Sequence, residues 1–181
     1  MDNQTLFFER QRFKQIWLWI LLIGINGISL FGLIKQVFLG EKFGDRPISN
    51  VGVIAFTIFT MSVSLLLLNM RLDTTIKTDG IYVRFFPFQR TFRFYSWDKL
   101  NQAYVRQYSP MGEYGGWGIR GFRNNRAFNV SGNKGIQLIM EDGRKFLIGT
   151  NKADEVTETL KQLGRLTNLQ SQKKNIFGPF S

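Results

Sequence analysis

Two uncharged and strongly apolar stretches constrain this chain more than any other feature. The first covers residues 16–34 and the second covers residues 47–70. A bilayer's hydrocarbon core is about 30 Å thick, and roughly 20 helical residues are enough to cross it. We therefore expect two spanning helices, at residues 16–38 and 50–70. Because the link between the stretches is short and polar, it favours a tight antiparallel hairpin.

The distribution of positive charge predicts how this hairpin is oriented. Seven cations lie near its outer ends: Arg10, Arg12, Lys14, Arg71, Lys77, Arg84 and Arg90. Three lie between the apolar stretches: Lys35, Lys42 and Arg46. Segments rich in Lys and Arg stay on the cytoplasmic side. We expect a multi-pass protein of the cell membrane with two spans and with both termini in the cytoplasm.

The remaining chain is expected to form one water-exposed domain between two short tails. Residues 1–15 are interpreted as a juxtamembrane tail, either solvated or a short interfacial helix, residues 71–167 as the domain, and residues 168–181 as a flexible tail. The chain carries a formal charge of +11, and residues 71–181 contain 18 Lys and Arg against 9 Asp and Glu. An anionic leaflet is the nearest negative partner for a tethered basic domain, so we expect the membrane surface rather than nucleic acid.

The chain contains neither cysteine nor histidine. Disulfides, thiolate nucleophiles and cysteine-ligated metal centres are therefore excluded. Histidine is the commonest metal ligand and the commonest general base, and it is missing as well. We predict a protein that is not an enzyme and that has no metal and no cofactor.

From residue 72 onward the sequence pattern is typical of strands. The β-rich runs 74–78 and 81–85 flank Asp79-Gly80, which predicts a hairpin. A loop is predicted at residues 109–116 and leads into residues 117–120. Five further runs are interpreted as strands, and with the two strands of the hairpin they make about seven short antiparallel strands: residues 90–97, 103–108, 126–130, 136–140 and 145–148.

One amphipathic helix is predicted to close the domain. Asn151 is expected to be its N-cap, with Asp154 three residues later. Val156, Leu160 and Leu163 follow at helical spacing and form one apolar stripe. Such a stripe indicates a helix that packs against a sheet.

Four segments carry a resemblance to a known family: residues 79–85, 113–120, 129–135 and 142–150. With the predicted hairpin, strands and helix, the chain resembles bacterial membrane proteins that carry a pleckstrin-homology-like (PH-like) domain behind two transmembrane helices, a small uncharacterised family. The likeness covers residues 16–163. It implies an α+β fold in which an antiparallel β-sandwich or barrel is closed by one C-terminal helix. It also implies a membrane-tethered cytoplasmic module without known catalysis.

A basic rim beside the glycine-rich residues 112–121 is the candidate binding site. It consists of Trp117, Arg120, Arg123, Arg126 and Lys134. Two interpretations are open: a solvated surface, or a contact with anionic lipid headgroups or an acidic protein. On the second, the domain is an interaction module held at the leaflet.

Two other functions are open at this point. Small and hydroxyl residues in the spans, with Asn26 as a pairing group, indicate that the protein could instead be a structural subunit of a larger membrane complex or a homo-oligomer. A hydrolase would need Ser131 and Lys134, which fit an S-x-x-K spacing, or a carboxylate pair such as Asp98 and Glu113. The Ser-Lys chemistry requires a helix at that position, where the pattern instead predicts a turn between strands.

Overall fold

The structure, a computed structural model, describes residues 4–45, 47–122 and 124–167. Within this part of the chain there are two compact units. One is Phe13–Met70, and the other combines the residues before Phe13 with those from Arg71 onward. We call them the helical unit and the β unit. The predicted tail at residues 168–181 lies outside the described residues.

The helical unit consists of two apolar helices. Helix α1 is Ile16–Leu33 and continues as a π-helical turn at Ile34–Phe38, while α2 is Asn50–Asn69. The Ser49 hydroxyl accepts a hydrogen bond from the Gly52 N–H and caps the start of α2. Both helices are long and apolar enough to span a bilayer, with mean hydropathies of 2.1 and 2.4. In their apolar windows only 11% and 17% of the residues are buried, whereas a core helix of a soluble protein is mostly buried.

Polar side chains join the two helices. The Asn26 side-chain amide donates to the Ser64 hydroxyl at 2.7 Å, as expected for a helix-pairing group. The Ser29 and Thr60 hydroxyls lie 3.3 Å apart, and Gln36 donates to the Asn50 side-chain oxygen at 3.0 Å. From Asn26 to Gln36 along the first helix and its π-helical turn, the partners in α2 move backward from Ser64 to Asn50. The two helices therefore run antiparallel.

The β unit contains nine strands among the described residues, arranged in two sheets. The first sheet has the order β1-β2-β3-β4 and is antiparallel throughout. The second has the order β5-β8-β9-β7-β6. The strands are β1 Thr5–Arg12, β2 Arg71–Lys77, β3 Gly80–Phe86, β4 Arg93–Ser96, β5 Leu100–Gln107, β6 Gly118–Phe122, β7 Asn125–Asn129, β8 Lys134–Met140 and β9 Lys145–Gly149.

Two features of the sheets correct the sequence prediction of about seven antiparallel strands. Strands β7 and β9 pair in parallel, with Ala127 opposite Leu147. Strand β7 forms a hairpin with β6, and that hairpin joins the sheet beside β9 rather than beside β8, the next strand in the chain. The second feature is β1, which lies in the segment interpreted as a tail.

The tail interpretation of residues 1–15 is wrong for Thr5–Arg12, which pairs along β2 from Thr5 opposite Lys77 to Arg12 opposite Arg71. Its inward side chains include Glu9 and Gln11, and both are buried. The Glu9 carboxylate accepts hydrogen bonds from the Thr150 hydroxyl at 2.6 Å and the Asn151 N–H at 2.9 Å. Gln11 donates to the Gly149 carbonyl at 2.6 Å. Residues 149–151 thus satisfy the Glu9 carboxylate and the Gln11 side-chain N–H, which lets these polar groups be buried inside the fold.

The predicted hairpin after β2 is present, with Lys77 opposite Gly80. A glycine is needed in this hairpin because of the space available and not because of its backbone conformation. Gly80 is the first residue of β3, and a Cβ there would collide with the Tyr95 carbonyl oxygen of β4. The glycine is therefore required by the close approach of two strands.

The core of the β unit lies on the inner faces of both sheets. Its fully buried side chains include Leu72, Ile81 and Phe85 from the first sheet and Ile136 and Leu147 from the second. A terminal helix, α4, packs on strands of both sheets.

Helix α4 spans Ala153–Gln162, and two residues of the predicted stripe, Val156 and Leu160, are fully buried. The third, Leu163, is the C-cap just past the helix and is only half-buried. The predicted N-cap was wrong, since Lys152 occupies that position and its N–H donates to the Thr150 hydroxyl. The Asn151 side chain instead donates to Ser131.

Candidate functional site

The predicted basic rim is only partly assembled. Arg120 lies on β6 and donates through Nε to the Trp117 carbonyl at 2.9 Å, while the Trp117 indole approaches the Gly132 carbonyl at 3.4 Å. Lys134 begins β8, two residues beyond Gly132. Trp117, Arg120 and the turn that leads to Lys134 therefore lie together.

Arg126 does not join them. In the β6–β7 pairing, Arg120 is opposite Ala127 and Arg126 is opposite Gly121. Directly opposed residues share a face and successive residues alternate, so Arg120 and Arg126 extend from opposite faces of the sheet. Arg123 lies outside the described residues.

The segment before β6 folds as one turn of helix rather than as the predicted loop. This helix, α3, is Pro110–Tyr114, capped by the Ser109 hydroxyl and ended by Gly115, whose φ is +68°. It places Glu113 against Arg106, with two guanidinium–carboxylate contacts of 2.7 and 3.1 Å. The Arg106 hydrogen bonds lower the pKa of Glu113, whereas a general acid needs a raised pKa. This is the wrong direction for the general acid of a glycosidase-type pair with Asp98, and the ion pair with Arg106 occupies both carboxylate oxygens.

The Ser-Lys arrangement also lacks the geometry its chemistry needs. Ser131 lies in the turn between β7 and β8 and is hydrogen-bonded to Asn151 at 3.1 Å. Lys134 lies on a strand, whereas an S-x-x-K site places serine and lysine one helical turn apart. Among the residues that the structure describes, no three carboxylates converge to hold a metal ion.

A second basic surface was not predicted from the sequence. It lies on the outer face of the first sheet and is centred on Asp73, whose side chain is fully buried. Three arginine side chains surround this carboxylate: Arg10 at 2.7 Å, Arg84 at 2.6 Å and Arg71 at 3.5 Å. They come from three neighbouring strands, because Arg10, Asp73 and Arg84 are register partners.

The charge state of Asp73 explains why the arginine side chains of this cluster have fixed positions. Burial alone would raise the pKa of Asp73, but hydrogen bonds and charges from Arg10 and Arg84 outweigh it and hold that pKa below its ordinary value. Asp73 is therefore a carboxylate at neutral pH. Because it is ionised and buried, it fixes the arginines in place.

Aromatic rings pack beside the same arginines. The Arg84 guanidinium lies 4.4 Å from the Phe92 ring centroid, and that of Arg71 lies 4.8 Å from the Phe86 centroid. Phe92 and Phe94 are 40% and 49% exposed. We call this surface the arginine face and define it by Arg10, Arg12, Arg71, Arg84, Phe86, Phe92 and Phe94.

The described chain is thus a mixed α+β protein, in which two apolar helices interrupt a two-sheet β unit after its first strand and a helix ends the unit. Comparison with known proteins finds no family model that matches the chain and no curated protein that matches its sequence.

Proposed function

We propose that this protein is an integral membrane protein whose two helices span the bilayer as a hairpin. In this proposal the β unit is a PH-like, non-catalytic interaction module that contacts anionic lipid headgroups or a partner protein at the cytoplasmic face. The observation that carries the proposal is the pairing of β1 with β2 across the two apolar helices.

The exposed apolar surface of both helices supports membrane insertion. Ile16, Ile23 and Val51 are 76%, 70% and 75% exposed. Leaving such surface in water costs about 25 cal/mol for each Å². Hydrocarbon removes this cost, and backbone groups inside a helix need no water.

The strand pairing supports a two-span topology. Strand β1 precedes α1 and β2 follows α2, yet Arg12 and Arg71 are register partners. Two strands that hydrogen-bond along their length must lie on the same side of a bilayer. An even number of crossings must therefore separate them, and two helices provide it. The cation distribution then favours the cytoplasm for both termini.

The two packed sheets and the buried stripe of α4 support a PH-like fold for the β unit, from which the parallel β7–β9 pair departs. The absence of histidine and cysteine, together with the Arg106 pairing of Glu113, favours binding over catalysis.

The topology can be tested directly because the chain contains no cysteine. Two single-cysteine variants would be made: Lys42→Cys, between the helices, and Glu158→Cys, on the exposed side of α4. Each would be treated with a membrane-impermeant maleimide in intact cells and after lysis. We expect Lys42→Cys to react in intact cells and Glu158→Cys to react only after lysis. Recovery of the protein in the soluble fraction, or equal labelling at both sites in intact cells, would contradict the proposal.

A second candidate function is a structural subunit of a larger membrane complex. It is favoured by Gly24 and Gly27 of α1, where a Cβ would meet no other atom within 4 Å. Such exposed backbone lets another helix approach closely. Crosslinking of Gly27→Cys in native membranes would test it, and an exclusively monomeric product would argue against it.

A further inference from the structure

We infer that the arginine face is a binding surface for the phosphate groups of anionic membrane lipids. This inference rests on the proposed function and gives the module's lipid contact a position. It replaces the predicted rim with a surface assembled from β1, β2 and β3.

The charge balance of the face is the first argument. Three of its four arginines, Arg10, Arg71 and Arg84, surround the one carboxylate, and the fourth, Arg12, has no contact with it, so the face as a whole keeps three uncompensated positive charges. Asp73 orders these arginines without neutralising them. The hydrogen bond from Arg10 to Asp73 uses only Nε, and a guanidinium has five N–H donors. The terminal nitrogens of Arg10 therefore remain for phosphate oxygens, which arginine binds through paired N–H groups, whereas Arg84 already donates to Asp73 through Nε and one terminal nitrogen.

The position of the face along the chain selects lipid as the occupant. Arg12 directly precedes Phe13, and Arg71 directly follows Met70, at the two ends of the helical unit. Helix α1 begins at Ile16. If the helices span the bilayer, both arginines lie within a few residues of the headgroups. A nucleic acid or an acidic protein would have to compete there with membrane lipids, whose concentration is high next to a membrane-anchored domain.

The aromatic side chains agree with this choice. Phe92 and Phe94 are exposed beside the arginines. Phenylalanine side chains next to basic residues insert at the boundary between the headgroups and the acyl chains. The predicted rim brings together fewer cations, because Arg126 extends from the other face of the sheet.

The test uses the full chain in lipid nanodiscs, with a fluorophore on Thr91→Cys beside the face. Quenching of this fluorophore by a fixed amount of headgroup-spin-labelled phosphatidylcholine would be measured. The unlabelled phosphatidylcholine would be replaced stepwise by phosphatidylglycerol. The face variant is Arg12→Gln with Arg71→Gln, which retains the two shorter Asp73 ion pairs. The matched control, Arg120→Gln with Lys134→Gln, removes the same charge from the predicted rim.

We expect quenching to rise with phosphatidylglycerol and to fall with salt in the unsubstituted chain and in the control. The face variant should lose about 25-fold in apparent affinity, since each basic residue near an anionic surface contributes about fivefold. Free glycerol phosphate should not compete, because the proposed ligand is a lipid within the bilayer.

Three outcomes would contradict us in different ways. If quenching in the unsubstituted chain ignores phosphatidylglycerol, the lipid-binding function itself is wrong. If the control loses affinity and the face variant does not, the function stands and the arginine face is the wrong location. If both variants lose affinity equally, the contact is unspecific charge attraction and the inference fails.

Discussion

At the scale of single residues, Asp73 organises the arginine face. Its carboxylate is fully buried and contacts arginines from three strands. The predicted hairpin already places Arg84 opposite Asp73, but the sequence could not reveal the whole cluster, because Arg10 lies 63 residues from Asp73 in the chain. Trp117 and Arg120 could be predicted as neighbours because they are only three positions apart in the sequence. The separation of Arg120 from Arg126 depends on strand register, which no local pattern specified.

Replacing Asp73 by asparagine should destabilise the β unit by about 2 kcal/mol, since three partly exposed guanidinium groups lose their shared charged acceptor. The loss in the free energy of unfolding is measured by denaturant titration in detergent. Amide hydrogen exchange in β2 and β3 then shows whether the loss is local to these strands. The exposed Asp142→Asn change is the matched control and should leave the unfolding midpoint close to that of the unsubstituted chain.

The same pair of proteins tests the sign of the pH dependence. The folded-state pKa of Asp73 lies below its ordinary value of 3.8, so its ionisation stabilises the fold above that pH. This contribution is lost as the pH falls through the lowered folded-state pKa. The stability difference between the original chain and Asp73→Asn should therefore be full at neutral pH and shrink in acid. A difference that stays constant down to the acid transition would exclude a role for the charge.

At the scale of elements, the sequence did not predict strand β1. A strand is recognised when apolar side chains alternate with polar ones, but Glu9 and Gln11 occupy the inward positions of β1. Their partners are Thr150, Asn151 and Gly149, near the other end of the chain. The hairpin at Lys77 and Gly80 was predictable because both of its strands are adjacent in sequence.

Glu9→Gln should loosen β1 selectively, at a cost of about 2 kcal/mol, because the Thr150 hydroxyl loses its charged acceptor. Amide hydrogen exchange should accelerate in Thr5–Arg12 before it changes in β8. Combining the change with Thr150→Val should cost less than the sum of the two single changes, since both remove one hydrogen bond. Strict additivity, or an equal effect from Glu158→Gln on the surface of α4, would contradict this role for Glu9.

At the scale of the whole molecule, the helical unit is an insertion between two paired strands. The chain leaves the β unit after Arg12 and returns at its register partner Arg71. This arrangement implies that the β unit does not require the helices for its own strand pairing. It also implies that residues on both sides of the insertion are needed for one core.

This can be tested by replacing Phe13–Met70 with Asn-Gly, which joins two antiparallel strands at a two-residue turn. The shortened chain should be a soluble, folded monomer with cooperative unfolding. A second chain that begins at Arg71 lacks β1, leaves the hydrogen-bonding edge of β2 unpaired, and should aggregate or unfold at a lower denaturant concentration. Equal stability of the two chains would show that β1 adds nothing to the fold.

The sequence by itself determined the elements whose hydrogen bonds are local. The two apolar helices, the hairpin between β2 and β3 and the terminal helix α4 each satisfy their backbone within a short segment, so composition and periodicity predict them. Only the tertiary structure decided which distant segments meet. The pairing of β1 with β2, the parallel contact of β7 with β9 and the arginine face around Asp73 all join residues from separate parts of the chain. Their stability comes from burial and from partners that exist only once the sheets have formed, and for that reason no local pattern encodes them.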